Sequence, residues 1–219
     1  MDSLAIKASR DEGNLPGALT ERQAAVLDAA LDLLVAGGEK AITTGRIAQA
    51  ANCSKESLYR WFGDRDGILA AMVGHQASKV RVPAASTTVE RPLSAYVADF
   101  EAFGGDLLAV LSGQTSLALN RLAIGQARAD GAALGDLMVA RGRGAVRERG
   151  IALLTRAREA GHLRFDDAGA AFETLYGLLV RDGHVRLLLG EPVAFMTDPR
   201  RRGAHVAQAV AAFLRLFGA

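Results

Sequence analysis

The sequence predicts an all-α protein, and two observations carry that prediction. Alanine supplies 42 of the 219 residues and proline only 5, so the residue that most favours helices far outnumbers the strongest helix breaker. Apolar residues also recur at helical spacing along most of the chain, and no segment has the alternating pattern of a half-buried strand. The pattern indicates a small unit of short helices followed by a larger body of longer ones.

The composition is that of a packed globular protein, with 50% hydrophobic and 23% charged residues. No apolar run reaches the roughly 20 residues that span a bilayer, and the first residues lack the basic and apolar parts of a signal peptide. We therefore expect a cytoplasmic protein with no membrane partner. The single cysteine, Cys53, excludes an intramolecular disulfide and a cysteine-based zinc cluster.

Residues 1–19 show no periodicity and predict a flexible N-terminal arm. Short helices are predicted after it, each beginning at a residue that can cap a helix and ending at Gly37, Asn52 or Gly63, residues that suit turns. The predicted caps are Thr20, which forms a capping box with Gln23; Thr43 or Thr44; Ser54; and Asp64.

Beyond Pro83 the chain predicts five longer helices, separated by stops at Gly113, Gly161, Gly190-Glu191-Pro192 and Asp198-Pro199. Their predicted ranges are about 92–111, 115–128, 133–160, 167–189 and 200–217.

The second and third short helices have the dimensions of a helix-turn-helix, whose second helix can enter the major groove of DNA. Ile47, Ala51, Leu58 and Phe62 can form a small shared core, which leaves the polar side of the third helix facing outward. The net charge of the chain is only +2, but residues 40–65 hold five basic and two acidic residues. A function in DNA binding must rest on this short window.

The run ITTGRIAQAANCSKESLYRWFGDRDGILAAMV, residues 42–73, resembles the TetR family of bacterial transcriptional regulators. It holds a Thr-Thr pair, a short helix that ends in a turn, Ser-Lys-x-x-Leu-Tyr, an aromatic pair ending in Phe, and a Gly- and Asp-rich turn before the next helix. Asn52 stands where glycine is usual, Cys53 where valine is usual, and Arg60-Trp61 where a second aromatic and a His or Tyr are often found. These departures concern sequence preference more than fold.

The resemblance implies an all-α fold with a helix-turn-helix DNA-binding domain at 20–66, a connecting helix at 67–83, and an effector-binding and dimerisation domain at 84–219. It further implies a ligand-responsive homodimeric repressor of a palindromic double-stranded DNA operator, with a small-molecule effector and no cofactor. The residues alone leave an alternative, a helical small-molecule-binding or metabolic protein that keeps the helix-turn-helix only as scaffold. No converging acid, base or nucleophile is apparent, so we do not expect an enzyme.

The DNA contacts implied by the resemblance lie on the two short helices and at the start of the next one. By residue type, Arg46 and Lys55 can read guanine, while the ring side chains suit the DNA backbone. The alternative for Trp61 is burial of its ring against the first helix, and for Arg60 a surface ion pair with Glu56. The expected DNA contacts are Thr44, Arg46, Ser54, Lys55, Ser57, Tyr59, Arg60, Trp61 and Arg65.

An apolar stripe on the first long helix is a candidate wall for the effector cavity, which the family builds inside its C-terminal helices. At helical spacing such a stripe is otherwise ordinary core. Polar residues further on supply groups that can orient a ligand. The candidate ligand contacts are Tyr96, Phe100, Phe103, Leu107, Leu111, Gln114, Asn120, His162 and Tyr176, with Gln126 as a further polar group.

The last two long helices are the predicted dimer interface. Gly177, Gly183 and Ala207 are small enough to let helices approach closely. The candidate interface residues are Leu179, Val180, Leu187, Val206, Val210 and Leu214.

The remaining reactive or charged residues have simpler interpretations. The four histidines lack the spacing of a metal site, so we expect no metal. Cys53 is interpreted as a small apolar substitute for valine. The arginines that crowd the predicted helix at 133–160 indicate a solvated face, with an anionic effector or the acidic flank of a partner as the alternative.

Overall fold

The structure is a computed structural model of the chain. It describes residues 19–83, 91–126 and 133–219. The predicted arm, apart from Leu19, and the predicted end of the second long helix at 127–128 lie outside the described residues. Within the described part the chain is helical, and an isolated antiparallel bridge joins Leu163 to Gly218. The all-α prediction is confirmed.

Short helices make up the N-terminal part, and the predicted caps are formed. Thr20 completes its capping box, and Ser54 and Asp64 accept hydrogen bonds from the backbone N–H groups three residues on, at 3.0 and 2.8 Å. Thr43, rather than Thr44, caps the second helix, with its hydroxyl 3.3 Å from the N–H that it accepts. The helices are α1 (Glu21–Gly37), α2 (Thr44–Ala50), α3 (Lys55–Phe62) and α4 (Arg65–Ser78), with a 3₁₀ turn at Glu39–Ala41.

The larger C-terminal part also consists of helices, which are joined by turns and short irregular segments. No single described helix combines the length and the apolarity needed to cross a bilayer; the pair α5 and α6, bent by 60° between its halves, meets those criteria jointly. The helices are α5 (Leu93–Ser112), α6 (Gln114–Gln126), α7 (Ala133–Leu137), α8 (Ala145–Glu159), α9 (Ala168–Val180), α10 (Gly183–Leu188), α11 (Ala194–Thr197) and α12 (Pro199–Phe217).

The prediction of one helix over 167–189 is wrong, because the chain breaks at Arg181. That residue has φ +51°, in the left-handed region, and separates α9 from α10. The break lets the backbone at Gly183 approach α11: a Cβ on Gly183 would lie 2.6 Å from Met196 Sδ and 2.7 Å from the Phe195 ring. The turn therefore depends on a contact between segments that sequence periodicity does not report.

The predicted helix at 133–160 is continuous but changes its winding partway along. A π-helical segment, Met138–Gly144, joins α7 to α8. A π turn widens the helix and is found often at functional sites, because it moves side chains out of their α-helical register. This segment lies against α4, where a Cβ on Gly142 would be 3.3 Å from Val73 Cγ1.

Two hydrophobic cores organise the described chain, and α4 contributes to both. Ile68, Leu69, Met72 and Val73 pack with α1, α2 and α3, and this core also includes residues of α6 and α7: Leu119, Ala123 and Leu134. Ala77, at the other end of α4, belongs to the larger core of α5, α8, α9 and α12. A single helix thus connects the packing of the two parts.

Candidate functional site

The turn between α2 and α3 has the geometry of a helix-turn-helix. Asn52 adopts φ +49°, as its residue type predicts, and Ala48 and Leu58 are buried on either side of the turn. The Arg22 guanidinium of α1 donates hydrogen bonds to the carbonyls of Ala51 and Asn52, at 2.7 and 2.8 Å. Sequence reasoning missed Arg22, because nothing in its local pattern indicates a partner 29 residues away.

The outward side of α3 presents a basic and aromatic surface. Leu58 is fully buried, whereas the adjacent Tyr59 is 49% exposed, and Lys55 and Arg60 are exposed. The aliphatic end of Lys55 lies against α2: a Cβ on Gly45 would be 3.5 Å from Lys55 Cε. The start of α2, with the exposed Arg46, and the start of α3 therefore form one continuous surface.

Two other predicted DNA residues are engaged within the protein. Trp61 is half-buried against the N-terminal core and meets Phe62 edge to face, with 6.3 Å between ring centroids. The Trp61 ring is therefore partly buried, and its contact with DNA stays a prediction. The Arg60 guanidinium lies over that ring, 5.9 Å from its centroid.

The remaining predicted DNA residues lie at helix starts and have local partners. Ser54 and Ser57 bind one another through their hydroxyls at 3.1 Å. Arg65 donates to Glu39 at 3.2 Å, and Glu39 also accepts from Gln126 at 2.7 Å. Thr44 is half-buried at the start of α2. Gln126, predicted as a polar ligand group, thus binds the N-terminal unit instead.

A cavity of about 240 Å³ lies where α4 meets the C-terminal helices. Its wall is mostly aliphatic, and its polar side chains come from α4, α6, α9, α10 and the π-helical segment. The lining residues are Val73, Gln76, Ala77, Val80, Leu107, Val110, Leu111, Ser116, Leu119, Asn120, Met138, Val139, Gly142, Arg143, Val146, Phe172, Tyr176 and His184.

Four of the predicted ligand contacts line this cavity: Leu107, Leu111, Asn120 and Tyr176. They lie on α5, α6 and α9. Burial raises the pKa of the Tyr176 hydroxyl, and the nearby Arg143 guanidinium, 5.2 Å from the ring centroid, opposes that shift. The phenol therefore remains protonated and available as a hydrogen-bond donor near neutral pH.

Five of the predicted ligand contacts do not line this cavity. Phe100 and Phe103 are fully buried core residues, each edge to face with another phenylalanine. The Tyr96 ring contacts the His162 ring at a tilt of 56°, with 5.2 Å between centroids, and that histidine is hydrogen-bonded to the Arg91 carbonyl at 2.8 Å. The fifth, Gln114, is exposed at the first position of α6.

Four polar residues of the wall were not among the predicted ligand contacts, Gln76, Ser116, Arg143 and His184, and two of them hold a buried atom without a partner. Gln76 is 6% exposed, and its Nε2 has no hydrogen-bond partner among the described residues. The same is true of His184 Nε2, and burial lowers the pKa of this imidazole. A glutamine on the inner stripe of α4 was the available signal, since a buried polar side chain requires a partner.

One end of α4 is firmly held between the cavity and the neighbouring helices. The Arg149 guanidinium donates to the Ala77 carbonyl at 2.6 Å. On the α1 side, Asp28 lies 2.8 Å from His75 Nε2 and 3.3 Å from Lys79 Nζ. A displacement of α4 must therefore be shared with α1 and α8.

The predicted dimer residues mostly face the interior of the chain, which corrects that prediction. Five are buried, at 7% exposure or less, in the C-terminal core, and Leu214 is half-buried. Gly183 packs against α11, as described above. The exposed face of α12, which includes Ala207, and the open position Gly177 on α9 are the surfaces these helices offer. The buried residues are Leu179, Val180, Leu187, Val206 and Val210.

A helix-turn-helix with an exposed basic helix, joined by one helix to a cavity-bearing helical body, defines a DNA-binding regulatory protein. Comparison with known families agrees. Residues 26–72 match the model of bacterial regulatory proteins of the tetR family, and residues 98–219 match the AefR-like transcriptional repressor C-terminal domain. The chain belongs to the TetR family and is a DNA-binding transcriptional regulator.

Solved structures of other regulators share this architecture. A TetR transcriptional regulator from Agrobacterium tumefaciens is 52% identical, with 91% of this chain and 96% of that chain covered and a TM-score of 0.76. A TetR family regulator from Pseudomonas syringae, 17% identical over 92% of this chain and 98% of its own, has a TM-score of 0.60 and shows the fold alone.

The uncharacterized HTH-type transcriptional regulator YvkB of Bacillus subtilis is 40% identical over 53 residues, which are 24% of this chain and 28% of that relative. These relatives are transcriptional regulators and not enzymes. The expected family is confirmed, and the alternative of a helix-turn-helix kept only as scaffold is set aside.

Proposed function

We propose that the protein is a homodimeric, ligand-responsive repressor that binds a palindromic operator in the cytoplasm. Residues 20–66 act as the DNA-binding unit and residues 84–219 as the effector-binding and dimerisation domain, with α4 between them. The observation that carries the proposal is the position of α4, which lines the cavity and also packs in the core beneath α3.

On DNA, α3 lies in the major groove and its exposed side chains reach the duplex. Lys55 and the neighbouring Arg46 read base edges, while Tyr59 and Arg60 contact the sugar-phosphate backbone. Arg65 and Trp61 are the weaker contacts, since one is paired with Glu39 and the other is half-buried. In the dimer the two α3 helices stand about 34–36 Å apart, one turn of the duplex.

The dimer forms through the exposed faces of α9 and α12. These faces carry small residues such as Gly177 and Ala207, which permit close packing of helices across the two-fold axis. Leu216, near the C-terminal end of α12, is a further exposed apolar residue of that helix, at 65% exposure. Sedimentation at micromolar concentration tests this step, and a monomer would contradict the spacing of the α3 pair.

A ligand in the cavity shifts the population between two positions of α4. The shift is limited by the difference in ligand affinity between the two states. Because α4 carries Val73 and Gln76 into the cavity and Ile68 and Met72 into the N-terminal core, its displacement changes the separation of the two α3 helices.

The operator is first identified by selecting the fragments of the source genome that the protein binds. Operator affinity then tests the DNA-binding step. The double variant Lys55→Ala and Tyr59→Ala should lose at least tenfold in affinity, because it removes a basic and an aromatic contact from α3. Arg164→Ala, an exposed cation beside the C-terminal end of the chain, is the control and should retain affinity. Unchanged affinity in the double variant would contradict docking through α3.

A further inference from the structure

Two residues of the cavity wall, Gln76 and His184, each have a buried side-chain nitrogen without a partner among the described residues, and the Gln76 amide is the stronger donor. Gln76 is buried, its Nε2 has no hydrogen-bond partner among the described residues, and the residue lines the cavity. A buried amide donor without a partner is costly, and binding of an acceptor removes that cost. The other amide on the wall is different, because Asn120 Nδ2 already donates to the Ser116 carbonyl at 2.8 Å.

The charge of the wall bears on which ligands fit. Among the described lining residues there is no carboxylate, so an ammonium group would find no counter-charge. The one guanidinium on the wall, Arg143, is already paired with Glu173 at 3.0 Å. An anionic ligand would have to share that guanidinium with the carboxylate, which weakens its attraction. His184 supports the same conclusion, because burial keeps its imidazole neutral near pH 7.

The volume limits the size of the ligand. A dry cavity of about 150 Å³ admits benzene, so the 240 Å³ observed here corresponds to roughly ten non-hydrogen atoms. Aliphatic side chains of α4, α5 and the π-helical segment form most of the wall, so the body of that ligand is apolar.

We propose that the cavity takes an uncharged, mainly apolar molecule of about ten non-hydrogen atoms, whose carbonyl or hydroxyl oxygen accepts a hydrogen bond from Gln76 Nε2. This inference rests on the proposed function of the cavity as the effector site. His184 Nε2, the second unpartnered atom on the wall, belongs to α10 and is the further polar contact. Gln76 belongs to α4, so the group that recognises the ligand is part of the helix whose displacement changes the separation of the two α3 helices.

The test measures binding of four probes of matched size to the full chain by calorimetry or ligand-observed NMR. Butyrophenone is a neutral ketone, pentylbenzene a hydrocarbon, hydrocinnamate an anion and phenylbutylammonium a cation. We expect butyrophenone to bind about five- to tenfold more tightly than pentylbenzene, the gain of one hydrogen bond to a buried donor. Both charged probes should bind more weakly than butyrophenone.

Gln76→Met keeps the length of the side chain and removes the donor. It should abolish the preference for butyrophenone over pentylbenzene and leave pentylbenzene binding intact, which also shows that the cavity is still formed. Gln49→Met, an exposed glutamine on α2 outside the cavity, is the matched control and should keep the preference. If Gln76→Met does not fold, the order of the four probes on the natural chain still decides.

The proposed ligand class would be overturned if hydrocinnamate or phenylbutylammonium bound more tightly than butyrophenone, or if the preference for butyrophenone survived in Gln76→Met. The cavity would still stand as an effector site. Failure of all four probes to bind at millimolar concentration would overturn both the ligand class and the proposed effector site. Operator binding, measured separately, would stand in either case.

Discussion

The helix-turn-helix takes its shape from one continuous segment, residues 43–62, whereas the cavity takes its wall from seven helical elements between Val73 and His184. In the first region, caps, turn and buried residues follow one another along the chain. In the second, neighbouring wall residues come from distant parts of the sequence. The DNA-binding surface should therefore respond to local substitutions, and the cavity to substitutions that move one helix against another.

The largest effect on stability is expected from Leu58→Ala, at the centre of the helix-turn-helix. Leu58 is fully buried, so its truncation should lower the free energy of unfolding by about 2–5 kcal/mol, as measured by urea denaturation. Tyr59→Ala, one residue further on and 49% exposed, should change it by no more than about 0.5 kcal/mol but weaken operator binding. Equal losses of stability in the two variants would mean that α3 does not present Tyr59 outward.

A smaller effect is expected from Arg22→Met, which removes the guanidinium that binds the turn. The Ala51 and Asn52 carbonyls would lose their hydrogen bonds, and the free energy of unfolding should fall by about 1 kcal/mol. Operator affinity should fall several-fold because the angle between α2 and α3 loosens. Probe binding in the cavity, measured in parallel, should be unchanged; a loss there would show that the turn and the cavity are not separate.

The same contrast explains what the sequence could predict. Thr20, Asn52, Ser54 and Asp64 act within three residues of themselves, so their roles follow from residue type and spacing. The family resemblance also lies in this segment, and the expected DNA contacts could be placed on α2 and α3 for that reason. Arg22, whose partners lie 29 and 30 residues away, shows where local reasoning ends.

The cavity was predicted less well, because burial does not distinguish core from wall. Phe103 and Leu107 share a stripe on α5, yet Phe103 packs on Phe172 in the core and Leu107 lines the cavity. The difference depends on where α4 and the π-helical segment lie against α5. The candidate dimer residues failed for a related reason: Val206 and Val210 are apolar because α12 packs on the chain's own α5 and α9.

A pair of glycines tests whether helix contact, rather than local conformation, governs the second region. Gly135, on α7, has open space where a Cβ would lie, and Gly135→Ala should raise the free energy of unfolding by roughly 0.5–1 kcal/mol. Gly142→Ala places a Cβ 3.3 Å from Val73 on α4, so the helix-propensity gain should be offset by strain. Operator affinity should fall in Gly142→Ala alone, because a displaced α4 moves α3 from the spacing that fits DNA. An equal gain of stability in both variants, with unchanged operator affinity, would mean that the contact between Gly142 and Val73 does not control the position of α4.

The smallest effect expected is a pH dependence from His184 in the cavity. Burial lowers the pKa of its imidazole, so below the ordinary value of about 6.5 the unfolded chain binds a proton that the folded chain does not. The stability contributed by the neutral form is thus complete above about pH 6.5 and falls as the pH is lowered towards the pKa of the folded state. Urea denaturation at pH 7.5 and at lower pH should show a shallower fall in His184→Gln than in the natural chain. Parallel curves for the two proteins would mean that the imidazole is hydrated, and the wall of the cavity at α10 would then be open to water.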